Sequence, residues 1–239
     1  LWLRRSSPRS SSKLHASAIR LRRINGRPVA PVIDVVLAHH NEDISWTMSP
    51  RFAALGPVRR TLVYSDAVGD GIPAGSFPVD SGGNCEWPAW LTYLRDNYED
   101  LPDWVVLLHA HESAWHHPPS ILDTLTKRLM PDVLEDAPSY FNLNLTEAGR
   151  PLHFYIEQPN QRELNDEEFW SLWTSLFRGR APGRGGGKRW TPCGQCIVSA
   201  QAVRRFSSQF YAKMIVSLSE APFLRRTPSN GGAERKLGC

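Results

Sequence analysis

Four of the eight histidines of this 239-residue chain fall within nine residues, in the run His109-Ala110-His111-Glu112-Ser113-Ala114-Trp115-His116-His117. The run follows Trp104-Val105-Val106-Leu107-Leu108 directly, the clearest β-strand pattern in the sequence. In extended chain, residues two apart share a side, so His109 and His111 are placed to act together. Two imidazoles beside the carboxylate of Glu112 suit a divalent ion of intermediate hardness such as Mn²⁺ or Zn²⁺. They equally suit a metal-free polar site, or a set of histidines bonded to backbone and to one another.

Two further polar clusters end apolar runs. Pro31-Val32-Ile33-Asp34-Val35-Val36-Leu37-Ala38 gives way to His39-His40-Asn41-Glu42-Asp43, and Arg60-Thr61-Leu62-Val63-Tyr64 gives way to Ser65-Asp66. In open α/β sheets, ligands bind outside the carboxyl ends of the strands. If the three strands are parallel, the three clusters share one edge. Asn41, Glu42 and Asp43 can bind a hydroxyl-rich group such as a ribose, or can cap a helix starting near Ile44. Asn84 and Glu86 follow Gly82 and Gly83 and precede a helical pattern. Asn84 reads as a cap, and Glu86 as a first-turn acid facing the site.

The elements that must position these residues follow from periodicity. Trp87, Trp90, Leu91, Leu94 and Tyr98 mark one face of a helix from Glu86 to Tyr98, after a loop over 67–83 with five Gly and two Pro. Pro118 and Pro119 open a helix to about Met130. Tyr140 to Leu145 alternates like a strand, and Asp166-Glu167-Glu168 leads a helical run through Phe177. A flexible loop at 179–187, a last strand at Cys196–Val198 and a last helix from Ala200 to Leu218 complete the series. Alternating strands and helices predict an α/β fold: one layered domain with a mostly parallel central sheet flanked by helices. Cys193-Gly194-Gln195-Cys196 has redox spacing. Its second cysteine enters a strand rather than a helix, against a redox role.

Charge narrows the partners. The net charge is +4, yet residues 1–30 carry eight Lys or Arg and no acid, and 221–239 carry four against Glu234. Residues 31–220 therefore hold 16 bases and 23 acids, a net of −7. A nucleic-acid-binding fold carries its basic patch on the body, so nucleic acid is not an expected partner. The expected organisation is a basic, disordered Arg/Ser-rich leader over 1–30, the α/β domain over 31–220 and a basic, disordered tail over 221–239. The leader has the composition of a plastid or mitochondrial transit peptide; a secretory-pathway chain with a lost upstream anchor is the alternative. No run approaches a membrane span.

The blocks IDVVLAHHNEDISW, TLVYSD, NCEWPAWLTYLRDNYEDLPDWVVLLHAHESAWHH and CGQCIVSAQAVRRFSSQFYAKM, in that order, resemble a family of fungal, algal and bacterial proteins described as domain of unknown function 3431. The likeness spans roughly residues 32–218 and implies no activity of its own. A weaker resemblance is to nucleotide-sugar glycosyltransferases of the GT-A type. There an early strand and acidic cluster hold the nucleotide, and a later strand ends in an Asp-x-Asp motif for metal and diphosphate. LPDWVVLLHAH is similar to the approach to that motif, with His109 and His111 standing where the two Asp would be. CGQCIVSAQAV looks like the late strand and helix bordering the acceptor site.

That resemblance implies a GT-A/Rossmann-like fold, a nucleotide-sugar partner and a glycan or small-molecule acceptor. His39, Asn41, Asp43, Asp66, Asn84 and His116 would then contact substrate, with Trp115 a platform for a sugar ring. His109 and His111 would hold the metal or diphosphate, and Glu86 or Glu112 would be the general base. Neutral histidines disfavour Mg²⁺. A metal-dependent hydrolase on the His109/His111 cluster and a non-catalytic carbohydrate-binding or assembly subunit are the alternatives.

Overall fold

A computed structural model of the chain describes residues 23–24, 27–28, 30–56, 58–80, 86–113, 120–135, 139–143, 154–156, 188–190 and 195–220. The β-branched and apolar runs form the strands of a six-stranded sheet: β1 Ile33–His39, β2 Val58–Ser65, β3 Phe77–Pro78, β4 Trp104–His109, β5 Tyr140–Asn142 and β6 Cys196–Ser199. Their order is β3-β2-β1-β4-β6-β5. β2 pairs parallel with both β1 and β3, and β1 pairs parallel with β4. β6 lies antiparallel to β4 and to β5. The architecture is thus α/β, as expected, but with one mixed sheet: the parallel arrangement covers four strands and ends at β4. Apolar periodicity reports which face a residue takes and is blind to strand direction, so it could not foresee the reversal. Two short antiparallel ladders lie apart from the sheet. One joins Arg23–Ile24 to Arg27–Pro28, inside the segment read as leader, and the other joins Phe154–Ile156 to Lys188–Trp190.

Six helices accompany the described strands: α1 Pro50–Ala53, α2 Trp87–Asp96, α3 Ile121–Arg128, α4 Pro131–Glu135, α5 Ala200–Val203 and α6 Ser208–Glu220. Period-two alternation divides the core between the faces of the sheet. Ile33, Val35 and Leu37 of β1 and Trp104, Val106 and Leu108 of β4 pack with Phe52 of α1 and with Ile121, Leu122 and Leu125 of α3. Val36, Val105 and Leu107 face the other way, onto Trp90, Leu91 and Leu94 of α2 and Tyr211 of α6. Burial of such side chains is worth about 1.5–3 kcal/mol each, so two filled faces fix the register of β1 and β4 firmly.

The helix expected from Ala200 to Leu218 is two helices. Ser199 accepts from the backbone N–H of Ala202 to start α5, and the chain turns after Val203. Ser207 then accepts from the N–H of Phe210, and α6 begins. Serine caps interrupt an otherwise continuous apolar pattern because their hydroxyls compete for backbone donors. The helix opened by Pro118 and Pro119 starts, within the described residues, at Ser120, whose hydroxyl accepts from the Leu122 N–H. The helical run after Asp166 and the loop at 179–187 lie outside the described residues.

One polar group sits deep in the sheet. The Asp34 carboxylate is 0% exposed, yet it belongs to β1. Between Ile33 and Asp34 the register with β2 slips, so that Ile33 faces Val58 and Asp34 faces Arg60. Consecutive strand residues normally point to opposite faces. The slip lets both Arg59 and Arg60 reach one carboxylate. Arg59 donates to Asp34 through Nε at 2.9 Å and Nη2 at 2.8 Å, and Arg60 through Nη2 at 2.6 Å. The Tyr93 hydroxyl of α2 donates at 2.8 Å, and Arg59 also holds Asp100. Burial alone would raise the Asp34 pKa; the hydrogen bonds from Arg59, Arg60 and Tyr93 outweigh it and hold the carboxyl below its usual range. This clasp joins β1, β2 and α2 at the amino end of β1, away from the edge where the histidines lie.

Candidate functional site

The candidate site is the carboxyl edge of β1 and β4. The backbone there is held from three directions, because a strand end leaves peptide groups without ladder partners. The indole N–H of Trp90 donates to the Leu108 carbonyl at 3.2 Å, and that of Trp46 to the Ala110 carbonyl at 2.8 Å. The His109 N–H donates to the Gln195 side-chain oxygen at 3.0 Å. Gln195 is wholly buried ahead of β6, so the antiparallel strand contributes directly to positioning His109.

Each histidine of β4's end has its own carboxylate. His109 Nε2 lies 3.6 Å from Glu86 Oε1, and His111 Nε2 lies 3.5 Å from Glu42 Oε1. Both contacts are longer than an ordinary N–H···O bond. The two imidazoles stand side by side, with ring centroids 6.3 Å apart and planes at 23°. The result is a row of Glu86, His109, His111 and Glu42 running across the gap between β4 and β1. Exposure separates the members: the His109 and Glu86 side chains are 5% and 6% exposed, whereas His111 is 38% exposed. His111 is the member a ligand can reach. Trp90 packs edge-on against the His109 ring at 5.7 Å and shields that pair from α2.

The β1 loop is shaped by its own acids. Glu42 Oε2 accepts from the N–H groups of His40, at 2.6 Å, and Asn41, at 3.1 Å. That folds the loop back and aims the other oxygen at His111. The His40 Nδ1 and Asp66 Oδ1 atoms are 2.7 Å apart, which ties the end of β1 to the end of β2. His39 is buried between the Ser65 hydroxyl at Nδ1 and the Glu42 carbonyl at Nε2. Because a carbonyl only accepts, Nε2 carries a proton and donates it to the Glu42 carbonyl, while the Ser65 hydroxyl is the partner at Nδ1. Ser65 Oγ in turn accepts from the Ala67 N–H. Asn41 is exposed, and its Oδ1 lies 3.1 Å from where a Cβ on Gly71 would sit, so glycine there lets the β2 loop close on the β1 loop.

Of the residues singled out in the sequence, the structure therefore gathers Asp66, Glu86, His109 and His111 along one edge, with His39 beneath it and Asn41 at its rim. Asp43 turns instead to its own loop, accepting from the Ser45 N–H and hydroxyl, both at 2.8 Å. Those bonds hold its carboxyl below the usual range. Glu112 accepts from the Ser120 hydroxyl at 2.8 Å, at the start of α3. Asn84, Trp115, His116 and Cys193 lie outside the described residues. Cys196 is a buried thiol, pushed up to about 12 by burial, and so not a nucleophile at neutral pH.

What the sequence reading missed is the pairing. Glu42 was one of three acids and amides after β1, with nothing in its position to mark it as the partner of His111. The one available signal was the position of Glu86 at the head of α2, since a helix packed antiparallel to β4 returns its start to the carboxyl edge. Among the described residues, no group of three or more His, Cys, Asp or Glu side chains is placed to hold a metal ion. No helix of the described residues is long and apolar enough to cross a membrane.

Compared with known proteins, residues 35–228 match the model of the family described as "Protein of unknown function (DUF3431)". No curated protein and no solved structure matches the chain.

Proposed function

The chain belongs to the DUF3431 family, and from that premise we propose that it is a glycosyltransferase-like enzyme whose nucleotide-sugar donor binds at the carboxyl edge of β1 and β4. The observation that carries the reading is the row of Glu86, His109, His111 and Glu42, two imidazole–carboxylate pairs assembled from three elements at one strand edge. The arrangement 3-2-1-4 of the parallel strands supports it. That order is the first half of a doubly wound, Rossmann-like sheet with the first strand of the second, and in such sheets the ligand crevice opens between strands 1 and 4, where the winding reverses. The mixed half beyond β4 is compatible with the GT-A likeness seen in the sequence.

In this reading Asn41 meets the nucleoside. Glu112 and Asp43 are taken up by their own helix and loop, which leaves the His111–Glu42 pair as the accessible base. His111 accepts the proton of an acceptor hydroxyl, and Glu42 stabilises the imidazolium that forms. The freed oxygen bonds to the anomeric carbon of the donor, and the bond from that carbon to the diphosphate breaks, releasing a nucleoside diphosphate. Glu86 and His109 are positioning residues: buried, they fix the plane against which His111 stands. The 3.5 Å contact between His111 and Glu42 is expected to shorten when substrate binds.

Calorimetric titration of the purified chain with UDP-, GDP-, ADP- and CMP-sugars, each with and without Mn²⁺, tests the proposal. One donor class is expected to bind, with no requirement for Mn²⁺, and its free nucleoside diphosphate or monophosphate to compete. If no donor binds in either condition, the transferase reading is wrong. Ester or phosphoester hydrolysis in the same preparations would favour the hydrolase alternative instead.

A further inference from the structure

We propose that Trp87 is the platform on which the pyranose ring of a carbohydrate acceptor stacks; this deepens, and rests on, the transferase reading of the same edge. At helical spacing, Trp87 belongs with Trp90, Leu91 and Leu94 on the buried face of α2. Those three are 1–7% exposed, yet Trp87 is 46% exposed. The cause is its place along the helix. Trp90 already packs on His109, the last residue of β4. Trp87 lies one turn, about 5 Å, nearer the helix start, so the apolar face continues past the end of β4, with no strand of the described residues beneath it. Tyr93, further along, reaches Asp34 at the amino end of β1, which confirms the direction of α2.

The indole is held, not loose: its ring meets Trp90 edge-on, with centroids 5.8 Å apart and planes at 72°. A fixed aromatic face of this size, overhanging a polar edge, suits a ligand that is apolar on one face and hydroxylated at its rim. A pyranose has that character: its C–H groups stack on the ring while its hydroxyls meet polar neighbours. Glu86, adjacent in sequence, and His109, packed against Trp90, put the indole beside the row of the proposed site. The alternative occupant, the donor's base, is less well placed, since Asn41 and the β1 loop lie on the other side of His111.

The test uses the full chain and its Trp87→Phe and Trp87→Ala variants, whose thermal midpoints are expected to match because the side chain is half exposed. Binding of cellotriose, maltotriose, xylotriose and chitotriose is followed by saturation-transfer NMR and calorimetry, beside the donor titration. At least one saccharide is expected to bind the parent chain. Trp87→Ala should weaken it about tenfold or more, on the scale of ring stacking, and Trp87→Phe less than threefold. Donor affinity should not change. Equal saccharide affinity in Trp87→Ala, or no saccharide binding by the parent chain, overturns the inference. Donor binding with Trp87-independent acceptor binding sinks the platform and spares the transferase. Trp87-dependent saccharide binding without any donor sinks the transferase and spares the platform.

Discussion

Replacing Asp34 with Asn is expected to lower the unfolding free energy by about 3 kcal/mol. Removing one partner of a buried ion pair typically costs about 3–5 kcal/mol, because the charge left behind is poorly hydrated. The lower end applies here. Asp34 is wholly buried, but the Arg59 and Arg60 side chains are 30% and 33% exposed, so water can recover part of their hydration. Asn keeps the shape and one acceptor for Tyr93, which isolates the charge. Urea denaturation should show the midpoint falling by roughly 1 M at an m near 3 kcal/mol/M.

The pH dependence of this difference has a definite sign. The folded-state pKa of Asp34 lies below its unfolded value. The native chain therefore binds fewer protons than the unfolded one in the interval between the two values, and stability rises with pH across it. The contribution is complete above about pH 4 and is lost as pH falls through the depressed folded value. The gap between parent and Asp34→Asn should be constant from pH 5 to 7 and narrow below pH 4. A gap that widens in acid, or a midpoint unchanged at neutral pH, would show that the clasp does not act through the Asp34 charge.

The second large effect concerns turnover. Once a donor is identified, His111→Ala is expected to lower kcat by about 10²–10⁴-fold, the usual contribution of a positioned general base. Glu42→Gln is the sharper companion. The glutamine oxygen can still accept from the His40 and Asn41 N–H groups and keep the loop, while the charge facing His111 disappears. A loss of roughly tenfold in kcat is expected, about 1.4 kcal/mol, with KM for the donor nearly constant. Full activity in His111→Ala would remove the base from the mechanism. A Glu42→Gln effect confined to KM would make Glu42 a binding group instead.

These two predictions rest on features that the sequence revealed unequally. β1 and β4 were legible because their apolar runs are long and buried on both faces. The clusters at their ends were legible because such strands deliver polar residues to one edge. The reversal of β6 was not, since Cys196-Ile197-Val198 alternates alike in either direction. Nor was the single-turn break at Ser207, hidden within a continuous apolar pattern. Trp87 sat on the correct helix face, but its exposure depends on where β4 stops beneath α2, which is a tertiary fact. Asp34 went unremarked in the sequence, although a signal was there. A lone acid within Ile33-Asp34-Val35-Val36, with Arg59-Arg60 at the head of the next strand, was a local conflict of burial and charge. Only the register slip shows how one carboxylate takes both guanidiniums.

The carboxyl edge was likewise half legible. Position alone brought Glu86, His109 and His111 into one list with Asp43 and Glu112. Hydrogen bonding to Ser45 and Ser120 separates the latter two from the row. The exposure of His111 against the burial of His109 assigns the roles, and no spacing rule carries that information.

The most direct measurement is ¹⁵N-histidine NMR of the imidazole signals of His39, His109 and His111, assigned by single substitution, during titration with the nucleoside diphosphate of the bound donor class. The His111 signals should shift saturably at the affinity found by calorimetry. His109 should follow in smaller measure, and His39, enclosed by Ser65 and the Glu42 carbonyl, should stay in place. Saturable nucleotide binding that leaves the His111 ring unmoved would place the ligand elsewhere on the fold and contradict the account.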